Sequence, residues 1–411
     1  MNLNSSTFKQ IGPGLLYAGA AIGVSHLVQS TRAGAEFGLE LIWVIVVAHI
    51  LKYPFFLMGP LYADITGKTI LDGYKKQGNW ALWLFVLLTV STMFAVIAAI
   101  SVVTGGLAEF LFGVGWSAQI WGLIILTMCL ILLLFNGYSF LDKFMKWIVV
   151  ILTLATVLSF VFAINKTSFD GVSFGNFDWS VTKNVFFLIA FFGWMPAPMD
   201  ISIWHSVWRL EKNININNGD KARTNLDFHI GYFGTAVLAI LFLCLGAFTL
   251  FSAGVELEAG GVAFSAQLIG VYTSLIGEWS LFFIGLAAVV TMFSTGITCL
   301  DAFPRSLAVG FSLISSQFSK WLNYKTILLV LVVGAGLILI LIVENMRQLV
   351  DFATTISFLT SPLLAFLNYR SFILLKTSHN YVLPNRLRLL SISSLVFLGS
   401  FAVYFLAMRF F

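Results

Sequence analysis

Long apolar segments alternate with short polar connections along the whole chain. Each segment holds about 20 residues, the length that a helix needs to cross the roughly 30 Å hydrocarbon core of a bilayer. Eleven such segments are predicted, at about residues 11–32, 38–62, 82–107, 117–137, 146–164, 184–208, 230–252, 279–300, 326–344, 350–375 and 389–410. The pattern predicts an all-α integral membrane protein, with residues 1–411 forming one transmembrane domain.

The sixth segment is interrupted at its centre. Residues 191–200 contain Gly193, Pro196 and Pro198 and end on the acidic Asp200. Proline lacks an N–H donor and clashes with the preceding turn, so these residues cannot all lie in a regular helix. In lipid, the freed backbone groups are tolerated only where protein or a wet cavity satisfies them. A membrane helix broken at mid-depth is typical of the solute site of a secondary transporter.

The first segment also has an irregular, polar centre. Gly19 and Gly23 lead into the polar pair Ser25 and His26, and both glycine in a helix interior and polar side chains at membrane depth are unfavourable. The two interrupted helices are five helices apart. This spacing predicts two inverted five-helix repeats, at about 11–164 and 184–375, and an extra helix at about 389–410. The substrate site of such a protein lies where the two breaks meet.

Composition and charge support a membrane protein and predict its orientation. Hydrophobic residues make up 59% of the chain and charged residues 10%. With the N-terminus in the cytoplasm, seventeen Lys and Arg residues lie on the inner side and five on the outer side, as the positive-inside rule requires. We therefore expect a multi-pass cell-membrane protein with its C-terminus outside. The net charge of +5 follows from this topology and indicates no nucleic-acid partner.

Other classes of function lack their sequence signals. No cleavable signal peptide is recognisable, so the first segment is expected to remain a membrane helix. Cys129, Cys244 and Cys299 show no spacing typical of zinc or disulfide frameworks. Motifs of nucleotide binding, serine hydrolysis or zinc hydrolysis do not occur. We predict a transporter, not an enzyme, without a cofactor and driven by an ion gradient.

Several stretches resemble the Nramp family of proton-coupled divalent metal transporters. Residues 12–38 resemble the family's first helix, and residues 61–68 resemble the end of its second. Met195 and Pro196 match the start of the Met-Pro-His motif, and residues 294–298 resemble the signature of the eighth helix. The resemblance implies a LeuT-type fold and import of a divalent ion such as manganese, iron or zinc by alternating access, coupled to protons.

The metal-binding residues of the family are mostly replaced. The Asp-Pro-Gly-Asn motif of helix 1 aligns with residues 23–26, which read Gly, Val, Ser and His. Ala197 stands where the family has histidine, and the acidic positions of helix 3 fall near Ile97 and Ile100. Among the family's usual metal ligands, Met195 remains.

Substitute ligands are present at the two breaks. His26, Met195 and Asp200 offer an imidazole, a thioether and a carboxylate, a set that suits a first-row transition ion. We predict these three as the metal ligands, and Gly23, Ser25 and Ala197 as further substrate-binding residues. Alternatively, His26 and Asp200 pair with each other and bind nothing, or they carry protons.

Lys52 suggests a different substrate. It lies deep in the second segment, one turn after His49, and lysine at membrane depth usually faces a partner or a cavity. It could replace a coupling cation, pair with Asp200 or attract an anion. Lys52 and His49 are coupling candidates, and the alternative function is a transporter of a small anion or organic solute that uses Lys52 and His26.

Two further possibilities complete the sequence interpretation. Asp301 is a third coupling candidate, although a local ion pair with Arg305, one helical turn away, is the simpler interpretation. A transport-inactive receptor on the same scaffold would be expected to carry a soluble output domain, which the pattern of segments does not predict. Lipid and the transported solute are the expected partners, and the oligomeric state stays open.

Overall fold

The computed structural model describes residues 13–166, 177–214, 224–341 and 345–410, and these residues form helices joined by short loops, without a strand. The α-helices are α1 Pro13–Ala21, α2 Thr31–Phe37, α3 Ile42–Thr66, α4 Ile70–Gln77, α5 Asn79–Phe112, α6 Ala118–Lys166, α7 Thr182–Trp194, α8 Asp200–Ile214, α9 Thr224–Gly246, α10 Gly261–Ile276, α11 Leu281–Ile314, α12 Ser316–Trp321, α13 Tyr324–Leu341, α14 Met346–His379 and α15 Asn385–Phe410. Two π-helical segments, Val24–Ser30 and Ala247–Phe251, and the 3₁₀ turn Glu278–Ser280 complete the set.

Eight stretches of the described chain are long and apolar enough to cross a membrane as single helices. The first, fifth and sixth predicted spans are not among them: the first and sixth are each divided into short pieces, and the apolar part of the fifth, Thr153–Asn165, is shorter than a full span. The first consists of α1, the π-helical segment Val24–Ser30 and α2, and the sixth consists of α7 and α8. The predicted interruptions of both spans are therefore present.

The fourth and fifth predicted spans lie in one continuous helix. The sequence suggests two spans, at about 117–137 and 146–164, but α6 runs without a break from Ala118 to Lys166. Its apolar parts are Ala118–Phe135 and Thr153–Asn165. The residues between them include no proline, so no backbone donor is missing to end the helix there.

The interruption of the sixth span follows from its prolines. Met195 caps the end of α7 in an extended conformation, with φ −94° and ψ 120°, and a residue that precedes proline is restricted to such conformations. Ala197 precedes the second proline, Pro198, in the same way. The helix resumes only at Asp200, because the chain beyond the two prolines again supplies a backbone N–H donor at each position.

Backbone contact between helices sets the position of the first span. A Cβ atom built on Gly34 of α2 would lie 1.9 Å from the carbonyl oxygen of Leu243 in α9. Reciprocally, a Cβ on Gly246 of α9 would lie 2.1 Å from the carbonyl oxygen of Thr31. Small residues at such crossings let two helices approach until their backbones touch, which is a common mode of packing in membranes.

We expect Gly34→Ala to destabilise the protein, because the added methyl group must push α2 away from α9. Overpacking of this kind costs about 1–3 kcal/mol, which is measurable as a lower midpoint of thermal unfolding in detergent. Gly270→Ala is the control, since a Cβ at this position in α10 meets nothing within 4 Å. Equal midpoints for the two variants would contradict the close contact.

Candidate functional site

The interruptions of the first and sixth spans meet at a small buried cavity. Both halves of each broken span contribute to its wall, and α5 and α11 complete it. The lining residues are Ala20, Ala21, Val24, Ser25, Val96, Ile100, Trp194, Pro198, Ile201, Trp204, Thr295 and Cys299. Its volume is about 20 Å³, room for about one water molecule. The pathway is therefore closed at this depth.

Thr295 of α11 holds the end of α1 in place. Its hydroxyl group donates to the carbonyl oxygen of Gly19 at 2.9 Å, and the carbonyl oxygen of Ile22 lies 3.3 Å away. A Cβ on Gly23 would lie 2.6 Å from the Thr295 methyl carbon. Gly23, a predicted substrate-binding residue, is therefore placed where α11 leaves no space for a side chain.

His26 is buried and faces α9 instead of the cavity. Its Nε2 lies 3.1 Å from the carbonyl oxygen of Thr235, and its Nδ1 lies 2.7 Å from the Ser25 hydroxyl oxygen. A carbonyl only accepts, so we assign the ring proton to Nε2. The Ser25 hydroxyl group has one proton for two acceptors, Nδ1 and the Ala21 carbonyl oxygen at 2.6 Å. Both ring nitrogen atoms lie against protein oxygen atoms, which keeps a metal ion away from them in this conformation.

The predicted ligands of the sixth span lie on either side of its interruption. Met195 and Ala197 are completely buried, and neither lines the cavity. Asp200 begins α8, and one of its carboxylate oxygens lies 3.5 Å from the Thr89 hydroxyl oxygen on α5. In the described part of the chain, Asp200 forms no ion pair.

The metal site predicted at His26, Met195 and Asp200 includes a methionine and stays a prediction. Among the residues that the structure describes, no group of three or more His, Cys, Asp and Glu side chains is placed to hold a metal ion. The alternative ion pair between His26 and Asp200 does not form either, because His26 is bound to Ser25 and Thr235.

Lys52 binds the broken sixth span. The side chain is fully buried, and its Nζ donates to the carbonyl oxygens of Phe192 at 2.7 Å and Gly193 at 2.8 Å. It neither lines the cavity nor pairs with Asp200. His49, one turn earlier, hydrogen-bonds the Ile45 carbonyl oxygen at 2.7 Å through Nδ1, while its buried Nε2 has no partner within the described residues.

Asp301 forms the local ion pair that its spacing indicates. Its carboxylate accepts from Arg305 at 2.6 and 2.9 Å and from the Tyr324 hydroxyl group at 2.8 Å. Arg305 also reaches Glu211 of α8 at 3.2 Å. Asp301 thus belongs to a cluster that joins α8, α11 and α13.

Ion pairs also lie at the two ends of the broken spans. Arg32 of α2 contacts Asp351 of α14 at 2.6 Å and Glu36 at 2.9 Å, and Glu36 also binds Arg347. At the opposite end, Arg209 of α8 contacts Asp64 of α3 at 2.9 Å. These pairs join the broken spans to the unbroken helices on both sides of the cavity.

Sequence reasoning missed the two tryptophans of the cavity wall. Trp194 and Trp204 are buried, and the indole Nε1–H of each has no hydrogen-bond acceptor among the described residues. Tryptophan in membrane proteins is usually read as an interfacial anchor, and this expectation hides the two buried ones. The available signal was their position, with Trp194 directly before the interruption and Trp204 one turn into the helix that follows it.

Comparison with known proteins identifies the family. A family model described as natural resistance-associated macrophage protein-like, Nramp, matches residues 14–408. The chain belongs to the Nramp family. The resemblance predicted from the motifs is thereby confirmed, and because the family consists of membrane transporters, this chain is a multi-pass transporter and not an enzyme.

Relatives and solved structures support this assignment. The chain is 32% identical over 409 residues to an uncharacterised protein of Pasteurella multocida, covering 98% of this chain and 93% of the other. A mutant manganese transporter of Eremococcus coleocola is 14% identical with a TM-score of 0.65, over 98% of this chain and 88% of that one. MhsT in complex with L-phenylalanine is 14% identical with a TM-score of 0.64, over 98% of both chains. These structures have the predicted LeuT-type fold.

We expect Thr295→Val to destabilise this Nramp-family protein, because valine cannot donate to the carbonyl groups at the end of α1. A buried group left without its partner costs about 1–3 kcal/mol, and the midpoint of thermal unfolding should fall accordingly. Thr295→Ser keeps the hydroxyl group and should recover most of the loss. If Thr295→Ser lowers the midpoint more than Thr295→Val, the methyl contact, which valine keeps, and not the hydrogen bond holds α1.

Proposed function

We propose that this chain is a secondary active transporter that moves a small organic solute bearing a carbonyl or carboxylate oxygen. The observation that carries the proposal is the pair of buried indole N–H groups, on Trp194 and Trp204, that lack acceptors in the described chain. Both tryptophans line the cavity where the broken spans meet.

The chemistry of indole favours such a solute over a cation. The indole nitrogen only donates hydrogen bonds, so it cannot ligate a metal ion. A buried donor without an acceptor costs about 1–3 kcal/mol, and a bound solute oxygen would remove that cost.

The rest of the wall is suited to an organic body. Ala20, Val24, Val96, Ile100 and Ile201 present aliphatic surface, whereas a hard or borderline metal ion requires several oxygen, nitrogen or sulfur ligands. Known solute sites have mostly apolar walls and a few polar groups that fix orientation. MhsT, which shares this fold, is described in complex with L-phenylalanine.

Alternating access fits the distribution of ion pairs. The Arg32–Asp351 pair is at the end of the cavity that the charge bias assigns to the outside, and the Arg209–Asp64 pair is at the other end. If one ion pair breaks while the other stays formed, the cavity would be exposed to one side of the membrane at a time. We retain the predicted orientation, with a cytoplasmic N-terminus, and the two repeats at about 11–164 and 184–375.

A divalent metal ion is the second candidate substrate. Family membership favours it, as does the manganese transporter among the structures of similar fold. Met195 and the carboxylate of Asp200, which forms no ion pair in the described chain, are buried on either side of the interruption. Binding a metal there would require His26 to release Ser25 or Thr235.

Uptake into proteoliposomes tests both candidates. Labelled small carboxylates and amino acids would be compared with Mn²⁺, Fe²⁺, Zn²⁺ and Mg²⁺, each with and without a proton gradient. We expect uptake of an organic solute. Uptake of a metal alone, lost in a His26→Ala/Asp200→Ala variant, would instead establish the metal site.

For the transported solute, we expect Trp204→Phe to raise KM by about tenfold or more, because one lost hydrogen bond is worth about 1–3 kcal/mol. Trp208→Phe is a matched control. Its indole nitrogen is also buried without an acceptor among the described residues, and its ring lies 6.1 Å from that of Trp204, but it does not line the cavity. Equal effects of the two substitutions would contradict the role of Trp204.

We expect Asp351→Asn to open the outer side, because Arg32 loses the charged partner that joins α2 to α14. Cys299 lines the cavity, so its alkylation by a membrane-impermeant reagent added outside should become faster in a variant lacking Cys129 and Cys244. The control is Asp178→Asn. Hydrogen bonds from Ser180 hold the pKa of Asp178 below its usual value, so Asp178 carries the same charge on the same predicted side. Unchanged alkylation in Asp351→Asn would contradict this gate.

A further inference from the structure

The Lys52 ammonium group occupies a site that the fold builds for a cation. Its Nζ lies 2.7 and 2.8 Å from two successive carbonyl oxygens, those of Phe192 and Gly193, and 5.1 Å from the centre of the Phe192 ring. No carboxylate lies within ion-pair distance of it in the part of the chain that the structure describes.

The carbonyl groups belong to the last turn of α7, which ends at Trp194. The final carbonyl groups of a helix lack intrahelical donors and carry a partial negative charge. Pro196 and Pro198 cannot supply donors to this turn, although the Met195 N–H lies 3.3 Å from the Phe192 carbonyl oxygen. A positive charge at this point therefore stabilises the negative end of α7, and the face of the Phe192 ring attracts the same charge.

We propose that Lys52 is a tethered cation that holds the break of the sixth span closed, and that loss and gain of its proton release and restore this hold. One consequence is that transport is coupled to protons through Lys52, and this consequence rests on the proposed transport function. The step is a simple proton transfer: the ammonium gives one proton to water when the pathway opens, and the amine lone pair later accepts one.

The difference between the two protonation states is electrostatic. The ammonium has three donors and a full charge, whereas the neutral amine has two donors and no charge. Only the charged form is attracted to the negative end of α7 and to the Phe192 ring. The end of α7 is also held by close packing, such as Gly193 against the Thr354 backbone of α14, and losing the attraction to Lys52 loosens this end.

Other ionisable groups lie near α3. His49 hydrogen-bonds the Ile45 carbonyl oxygen through Nδ1, and its buried Nε2 has no partner among the described residues. The helices packed against α3 contribute further groups. From α8, Asp200 lies beside Thr89 and His205 lies beside Tyr17. From α9, Tyr232 bonds the His49 carbonyl group and His229 bonds Tyr53, and from α14, Asp351 pairs with Arg32. The ionisable residues of α4 and α15 are Asp72, Tyr74, Lys75, Lys76, Arg386, Arg388, Tyr404 and Arg409. We assign the switch to Lys52 because it alone among them contacts the end of α7.

Cysteine accessibility tests the switch without any substrate. The rate of Cys299 alkylation would be measured from about pH 6 to about pH 9 in protein lacking Cys129 and Cys244. Lys52→Arg keeps the charge at every pH, and Lys52→Met never carries it. Dividing each rate by that of Lys52→Arg removes the pH dependence of the thiol itself.

We expect Lys52→Met to react faster than Lys52→Arg at every pH. The native protein should match Lys52→Arg at low pH and approach Lys52→Met at high pH, as the lysine amine loses its proton. A native ratio that stays constant with pH overturns the proposal. If the organic solute is taken up but the alkylation ratio does not change with pH, the lysine switch alone is contradicted. If the alkylation ratio changes with pH but no organic solute is taken up, the proposed substrate alone is contradicted.

A second measurement covers the case in which these variants do not fold. Lys52→Ala leaves the carbonyl pair without its cation, so propylammonium should raise its midpoint of thermal unfolding, while an equal concentration of choline should not. Lys75→Ala is the control, because Lys75 is exposed and bonds only the neighbouring Asn79. Equal responses of the two variants to propylammonium contradict a cation site.

Discussion

Two membrane helices of this protein stop and restart near mid-depth, and their freed backbone groups must find partners inside the protein because lipid offers none. The arrangement around the cavity follows from this constraint. Thr295 supplies a donor to the end of α1, and Lys52 supplies donors and charge to the end of α7. Each partner comes from an unbroken helix, so the breaks are held by the helices that surround them.

These partners change the chemical character of the site. An Nramp-type metal site needs lone pairs directed at one point, but here the lone pairs are used by the protein itself. His26 is held between Ser25 and Thr235, and the carbonyl groups at the end of α7 bind Lys52. On the cavity wall, the side-chain groups without a hydrogen-bond partner among the described residues are donors, the indole N–H of Trp194 and Trp204. A wall of donors and aliphatic carbon is complementary to oxygen atoms on an organic body, and this complementarity is the basis of our substrate proposal.

A second set of polar contacts lies between the first span, α3 and α9. The Tyr232 hydroxyl group donates to the His49 carbonyl oxygen at 2.6 Å, and Tyr53 and His229 are hydrogen-bonded at 2.8 Å. His26 joins the same region through Thr235. These hydrogen bonds pair polar groups of neighbouring helices with one another, so the helices pack tightly while polar groups remain at membrane depth. Such a packed polar layer keeps α3, and with it Lys52, at a defined height against α7.

The sequence by itself determined the class, the fold and the family of this protein. Apolar segments about 20 residues long, the prolines at Pro196 and Pro198 and the glycines of the first span are local features, and each acts on its own stretch of backbone. Only the tertiary structure decided which side chains share the site. His26, Met195 and Asp200 are suitable ligands by type, yet the rotation of each helix turns His26 toward α9 and leaves Trp194, Trp204 and Thr295 on the cavity wall. That rotation depends on contacts between residues far apart in the chain, such as Gly34 with Leu243 and Lys52 with Phe192, which no local pattern encodes.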